Sequence, residues 1–188
     1  MIGGVAVALA LQKPLEDVFG ALSLYTQQQI RIGNFCRIGT DLGTAEEIGL
    51  RTTRLRTLEN TVLTVPNAAP ATQQIGNYTM RRKILYRPNL RLRYGTTREQ
   101  LDQNLGGIRE MLTSHEHVLQ EAPRVRFTQF GDDALILEVF AYLKTNDYAM
   151  YLEYAEDVNI KILSIVEAAG TQLAVSGREM RVEQTNSV

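Results

Sequence analysis

The hydrophobic and polar positions of the first 25 residues form two different patterns. From Met1 to Leu11 there is no charged or polar side chain, and Lys13–Pro14 then ends the run. If the run is helical, Val5 and Leu9 lie on one face because they are four residues apart. Small residues flank this stripe, with Gly4 and Ala8 on one side and Gly3, Ala6 and Ala10 on the other.

The two small flanks predict close helix neighbours, because small residues at four-residue spacing let helix backbones approach in a membrane. A helix with identical neighbours on both sides belongs to a ring, and Val5 and Leu9 would then form apolar rings that close a pore by expelling water. Three other interpretations stay open: a buried strand, a signal-peptide core and a buried helix of a soluble core. The run is about half of the ~20 apolar residues that span a bilayer, so we expect part of the span and further helices upstream.

A second, one-sided apolar pattern follows Pro14. Pro14 is placed to start a second helix, because proline is tolerated in the first turn, where Glu16 and Asp17 would also be favoured by the helix dipole. The apolar positions at helical spacing are Leu15, Val18, Phe19 and Leu22. We therefore predict a helix from Gly3 to Tyr25 with a hinge at Lys13–Pro14, apolar before the hinge and interfacial after it.

Short strands and turns are predicted between Ile30 and Asn77. Thr53–Leu58 alternates most clearly, and Glu59–Asn60 predicts a hairpin turn into a strand at Val62–Val65. Gly49 predicts a bulge or a tight bend. Closely spaced strands of this kind favour a small all-β barrel.

The remainder of the chain alternates strands and helices. Thr96–Glu99 has the spacing of a capping box and predicts a helix that runs to about Ser114. Asn146 is placed to cap a second long helix, which Gly170 would end. The predicted strands are Asn89–Tyr94, Arg124–Phe130, Ala134–Leu143, Thr171–Val175 and Met180–Val182. The order βαββαβ is that of the ferredoxin-like motif.

The overall charge gives no general reason to expect nucleic-acid binding, since the net charge is −1. One stretch, Tyr78–Arg98, is nevertheless basic and has no acids. Its positive residues are Arg81, Arg82, Lys83, Arg87, Arg91, Arg93 and Arg98. The stretch is interpreted either as a solvated strand face and linker, or as a contact for the phosphates of lipid headgroups or nucleic acid.

No residue pattern predicts catalysis, a cofactor or a metal site. Cys36 is the single cysteine and is interpreted as a small packed residue. His115 and His117 fall at a predicted helix end, where a solvated or dipole-facing histidine is expected. Asp132 and Asp133 are assigned to a hairpin turn. Because nucleotide-binding, nucleophile-elbow and zinc-binding spacings are not found in the sequence, we expect no enzyme activity and no cofactor.

Several short motifs occur in an order that resembles the small-conductance mechanosensitive channels of bacteria. They are Gly3–Gln12, Ile30–Gly33, Gly43, Glu47–Gly49, Thr53 with Thr57, Val65–Asn67 and Phe130–Asp132. The resemblance implies an α+β membrane protein fragment in four parts. These are a pore-lining transmembrane helix (residues 1–27), an Sm-like all-β barrel domain (28–80), a ferredoxin-like α/β domain (81–177), and a C-terminal strand for an oligomeric barrel with a tail (178–188). Lys13–Pro14 stands where that family often has a glycine at the kink.

The resemblance also implies a function. It implies a homoheptamer in the bacterial inner membrane, with the domains after the helix in the cytoplasm around a hollow vestibule. Membrane tension would open it to release ions and small solutes on hypo-osmotic shock, and its gate would be the rings at Val5 and Leu9. The partners would be further copies of the chain, membrane lipids, and permeating ions and solutes, but not nucleic acid. The alternative is a soluble Sm-like ring that binds RNA through Arg81–Arg98, or a ligand-binding scaffold.

Overall fold

The computed structural model of the protein describes residues 2–27, 29–69, 73–121 and 123–175, which fall into two compact units that meet between Arg81 and Arg82. The elements of the first unit are α1 (Ile2–Gln27), β1 (Phe35–Ile38), β2 (Asp41–Ile48), β3 (Thr52–Arg56), β4 (Val62–Pro66) and β5 (Ile75–Asn77). Those of the second are β6 (Ile84–Tyr86), β7 (Asn89–Leu92), α2 (Arg98–Ser114), β8 (Arg124–Phe130), β9 (Leu135–Leu143) and α3 (Tyr148–Ala168).

Helix α1 continues through Pro14, so the prediction that a second helix begins there is wrong. Proline has no N–H to donate to the carbonyl of Ala10, but the residues on both sides still favour a helix. The Gln12 side-chain amide donates to the Glu16 carboxylate at 2.9 Å and so spans the turn that contains the proline. The residues of the predicted hinge, Lys13–Pro14, therefore lie within a single helix.

The strands of the first unit form an antiparallel sheet in the order β4-β3-β2-β1-β5. Leu55 of β3 is buried between exposed Arg54 and half-buried Arg56, as the alternation predicted, and Asn60 has φ 64° in the hairpin that follows. The Gly49 N–H donates to the Thr52 carbonyl at 2.9 Å, which is the predicted tight bend, whereas the bulge lies at Ala45/Glu47.

The predicted barrel is not closed by the ladders between the described strands, which form an open path ending at β4 and β5. Strand spacing in a sequence indicates how many strands there are. Closure of a sheet into a barrel depends on strand tilt and register shear, and the spacing of strands in the sequence gives no information on either. The core of this sheet is formed by the buried residues Ile30, Cys36, Ile38, Ala45, Leu55 and Val65. The interpretation of Cys36 as a packed residue is confirmed.

Strand β9 is the centre of the sheet in the second unit. It pairs antiparallel with β8 along one edge and with β6 and β7 along the other. Pro88 separates β6 from β7, yet its carbonyl still accepts from the Val139 N–H at 3.1 Å. Leu173, which belongs to no strand, forms an antiparallel bridge to Leu92 of β7. The spatial order is that of the predicted ferredoxin-like motif, but the predicted strand Thr171–Val175 is reduced to this single bridge. The predicted strand at 180–182 lies outside the described residues.

The two helices of this unit begin one residue later than the sequence predicted. Thr97 caps α2, because its hydroxyl accepts from the Gln100 N–H while the Gln100 side chain accepts from the Thr97 N–H. Asp147, rather than Asn146, caps α3 by accepting from two backbone amides. Gly170 ends this helical segment with φ 70°. Both helices pack on one face of the sheet in a single apolar core.

Candidate functional site

Helix α1 carries an unusual number of large apolar side chains on its exposed surface. They are Val7, Leu9, Leu11, Leu15, Val18, Phe19 and Leu22, each at least 44 % exposed. So many exposed large apolar side chains on one helix are rare on a soluble monomer and indicate a contact with a membrane or another protein. Within the described residues, no helix is both long enough and apolar enough to cross a membrane.

The predicted gate positions, Val5 and Leu9, both lie in α1. Their four-residue separation places them on the same helix face, and the Leu9 side chain is 65 % exposed. The predicted packing positions, Gly3, Gly4, Ala6, Ala8 and Ala10, lie in the same helix. Of the predicted hinge residues, Lys13 is exposed and Pro14 is half-buried.

The second half of α1 is attached to the β domain by three buried residues, Asp17, Gly20 and Ala21. The Ala68 N–H donates to the Asp17 carboxylate at 3.2 Å, and Arg51 lies 3.8 Å from the same carboxylate. Gly20 touches the backbone of Asn67 so closely that an added Cβ would lie 2.6 Å from its carbonyl carbon. We call this contact the helix–sheet junction.

Sequence reasoning misassigned Asp17, which was expected in the first turn of a second helix. It lies in mid-helix and is only 7 % exposed. A signal was available, because an acid and a glycine three residues apart share one side of an otherwise apolar helix. A charged group in that position needs a polar partner, and the partner is the backbone after β4.

Asn67 is the centre of a buried polar network behind the junction. Its side-chain oxygen accepts from the Thr53 hydroxyl at 2.8 Å, and its side-chain amide donates to the Gly49 carbonyl at 2.8 Å. Its own N–H donates to the Arg51 carbonyl at 2.8 Å. Neither Asn67 nor Thr53 has exposed surface. A buried network with satisfied partners is rigid, so the loop that receives α1 has a fixed conformation.

Four bases of the basic stretch Arg81–Arg98 form ion pairs with acids of the α/β domain: Lys83, Arg87, Arg91 and Arg98. The Arg87 guanidinium donates two hydrogen bonds, both 3.1 Å, to Glu138, and this pairing holds the pKa of the Glu138 carboxyl below its usual value. Lys83 pairs with Glu121, and Arg91 pairs with Asp133, through one hydrogen bond each. This pairing supports the interpretation as a strand face rather than as a phosphate contact.

His115 is the C-cap of α2 and is buried, so of the two expected environments, solvated or facing the helix dipole, the solvated one is wrong for it. Its side chain is 2 % exposed, and its Nε2 lies 2.8 Å from the Asp157 carboxylate. Hydrogen bonds from Lys161, and then from His115, lower the pKa of the Asp157 carboxyl. His117 stacks on Tyr154 with ring centroids 3.8 Å apart. The described residues include no group of three or more His, Cys, Asp or Glu that could hold a metal ion.

Both units match family models. Residues 13–80 match the model described as "Mechanosensitive ion channel, beta-domain", and residues 90–173 match "Mechanosensitive ion channel MscS, C-terminal". The two units are therefore of the domain classes found in mechanosensitive ion channel proteins. The chain is a member of the MscS family.

Individual relatives agree with this family. An uncharacterized MscS family protein of Aquifex aeolicus is 34 % identical over 96 % of this chain and 50 % of its own length. The low conductance mechanosensitive channel YnaI of Escherichia coli is 31 % identical over 97 % of this chain and 54 % of its own length. The chain thus spans about half the length of the relatives it matches.

A solved structure supports the fold. The cryo-EM structure of Arabidopsis thaliana MSL1 superposes with a TM-score of 0.87 and 24 % identity, covering 93 % of this chain and 64 % of that one. At this level of identity, the likeness concerns the backbone architecture.

Proposed function

We propose that this chain lines the pore of a tension-gated channel and forms the intracellular vestibule below it. The observation that carries the proposal is the division of α1. Its large apolar side chains are exposed, whereas Asp17 and Gly20 of the same helix are buried against a mechanosensitive-channel β domain. A helix that is anchored on one side and exposes large apolar side chains on others is suited to transmit movement between a membrane and a rigid domain.

In this proposal the gate is formed by Val5 and Leu9, which repeat around the axis of a homoheptamer. The small residues Gly3, Gly4, Ala6, Ala8 and Ala10 let neighbouring helices pack closely. Tension stabilises the state with the larger area in the membrane, so the apolar rings widen and the pore fills with water. Lys13–Pro14 is the hinge, because Pro14 removes one helical hydrogen bond between the apolar half and the anchored half.

The proposed setting is the bacterial inner membrane, with the domains after the helix in the cytoplasm. The corresponding parts are the pore helix (residues 1–27), an Sm-like β domain (28–80), the α/β domain (81–177) and a C-terminal strand and tail (178–188). Lipids contact the apolar surface of α1, and ions and small solutes leave through the pore on hypo-osmotic shock. An enzyme role is not proposed, since the named relatives are channels. Nor is RNA binding, because Lys83, Arg87 and Arg91 are engaged by acids.

The test is the current evoked by suction on membrane patches from cells that express the complete protein. We expect stepwise conductance, and we expect Leu9→Ser to lower the pressure at which it appears because a polar ring hydrates at a smaller radius. Leu11→Ser is the matched control, since Leu11 lies on the same helix but away from the Val5/Leu9 face. Silence up to patch rupture, with the protein present in the membrane, would contradict the channel proposal. An unchanged threshold in Leu9→Ser would contradict the gate assignment alone.

A further inference from the structure

The sheet of the α/β domain has one face that α2 and α3 do not cover. Along β9, alternate residues from Leu135 to Leu143 are buried in the core with the helices. The residues between them are half-buried and point to the opposite face, because successive strand side chains alternate. These are Ile136, Glu138, Phe140 and Tyr142. We call this surface the outer sheet face.

Cations and aromatic rings alternate on the outer sheet face. The Arg124 guanidinium lies 3.7 Å from the ring centroid of Phe140, and the Lys83 ammonium lies 4.2 Å from that of Tyr142. Arg126 pairs across the strands with Glu138, which also binds Arg87. The bases on this surface are Lys83, Arg87, Arg91, Arg124 and Arg126, and the acids that contact them are Glu121, Asp133 and Glu138. The surface is therefore basic as well as partly apolar.

Helix α3 presents a surface of the opposite charge on the other side of the domain. Its buried side carries Ala155, Val158, Ile162 and Val166. The exposed stripe consists of Glu153, Glu156, Ile160, Leu163 and Glu167, which follow a spacing of three and four residues and share one helix face. Ile160 is 56 % exposed and Leu163 is 44 % exposed. We call this the acidic α3 stripe.

The two surfaces complement each other in charge and in apolar content, but they cannot meet within one copy. The inner side of α3 packs on the inner face of the sheet, so the acidic stripe and the outer sheet face point in opposite directions. A contact between two identical surfaces would oppose like charges, which is unfavourable. A contact between unlike surfaces of successive copies is favourable and repeats head to tail, which generates a ring when the rotation closes.

We propose that the outer sheet face of one copy receives the acidic α3 stripe of the next copy. This contact rests on the proposed homo-oligomer and specifies which surfaces form it in the α/β domain. Glu153 and Glu156 then face Arg124 and Arg126, and Ile160 and Leu163 cover the aromatic rings of Phe140 and Tyr142.

Chemical cross-linking between copies tests the contact. Asn89→Cys places a thiol on the outer sheet face, opposite Glu138, and Ser164→Cys places one beside Ile160 at the edge of the acidic stripe. Cys36 is buried, and the unaltered chain controls for it. With a short bismaleimide, we expect the double variant to form a ladder of covalent multimers and each single variant to form none. Ser114→Cys combined with Ser164→Cys is the matched control, since Ser114 lies outside both surfaces.

Charge reversal provides a second readout. We expect Glu153→Arg with Glu156→Arg to slow cross-linking about tenfold at low salt, and addition of Arg124→Glu with Arg126→Glu to restore it. No ladder, or dimers from one single-cysteine variant, would overturn the head-to-tail contact. A second contrary result would be the absence of a ladder together with RNA binding by the unaltered chain that Arg124→Glu with Arg126→Glu abolishes. The outer sheet face would then be an RNA-binding surface. The mass of the detergent-extracted protein separates the two proposals: an oligomer without a ladder refutes only this contact, whereas a monomer refutes the proposed assembly as well.

Discussion

The Asp17 carboxylate in the middle of α1 accepts a hydrogen bond at 3.2 Å from the backbone N–H of Ala68, 51 residues further along the chain. This bond joins the apolar helix to the loop after β4, next to the contact between Gly20 and Asn67. Because the loop is itself held by Asn67 and Thr53, a displacement of α1 acts directly on a rigid part of the β domain.

Removal of the Asp17 side chain should loosen the helix–sheet junction. In Asp17→Ala we expect the Ala68 amide to exchange with solvent at least about tenfold faster, because a hydrogen bond to a charged group contributes ~1.5–3 kcal/mol. Hydrogen exchange measured by NMR or mass spectrometry gives the rate. Asp17→Asn keeps an acceptor oxygen and should lose less protection, and Glu16→Ala is the control on the exposed side. Equal exchange of Ala68 in the Ala variant and the unaltered chain would contradict the role assigned to Asp17.

The buried pair of Thr53 and Asn67 should show strong coupling. Thr53→Val leaves the Asn67 oxygen without its hydroxyl donor, and Asn67→Ala leaves the hydroxyl without its acceptor. Each change should cost ~1–3 kcal/mol of the free energy of unfolding, because a buried polar group is left unsatisfied. The double variant should cost less than the sum, as a double-mutant cycle from urea unfolding will show. Strictly additive costs would mean that the hydrogen bond contributes nothing of its own.

Two adjacent glycines in α2 should respond differently to substitution by alanine. A Cβ at Gly106 would meet no atom of the described residues within 4 Å, whereas one at Gly107 would lie 3.0 Å from the Ile165 side chain. Gly106→Ala should stabilise the domain by ~0.5–1 kcal/mol, since glycine in a helix interior costs about that much relative to alanine. Gly107→Ala should gain less or destabilise, because the neighbouring helix must shift. Thermal melts of the two variants compare them directly, and equal gains would show that Ile165 does not restrict Gly107.

Acidification should remove the contribution of the Asp157 carboxylate to the free energy of unfolding. Its pKa is lowered in the folded protein, first by the hydrogen bond from Lys161 and then by that from His115. The stabilisation is therefore present above the ordinary value of 3.8 and is lost as the pH falls through the lower, folded value. In urea unfolding, Asp157→Asn should be less stable than the unaltered chain at pH 7, and the difference should shrink towards pH 3. A difference that does not depend on pH would exclude this ionisation as its source.

Local patterns were sufficient for much of the secondary structure. The alternation around Leu55 and the hairpin at Asn60 depend on neighbours close in sequence, and both are confirmed. The βαββα part of the second unit is confirmed as well, whereas the last predicted strand is reduced to one bridge at Leu173. The predicted N-caps of α2 and α3 lie one residue too early in the sequence. Two adjacent polar residues compete for each position, and only the backbone geometry selects Thr97 and Asp147. The gate at Val5 and Leu9 follows from side-chain size alone and stays a prediction.

By itself, the sequence determined the elements, their order, the apolar character of α1 and the resemblance to a channel family. These depend on periodicity, on turn and cap residues and on the order of short motifs, all of which are local. The tertiary structure decided that Asn67 joins Gly49 and Thr53 in one hydrogen-bond network, and that Asp17 is buried against the Ala68 amide. It also decided that His115 contacts Asp157, and that the ladders between the described strands β1–β5 remain open. Those features join residues up to 51 positions apart. Packing and register set such contacts, and no local pattern encodes them.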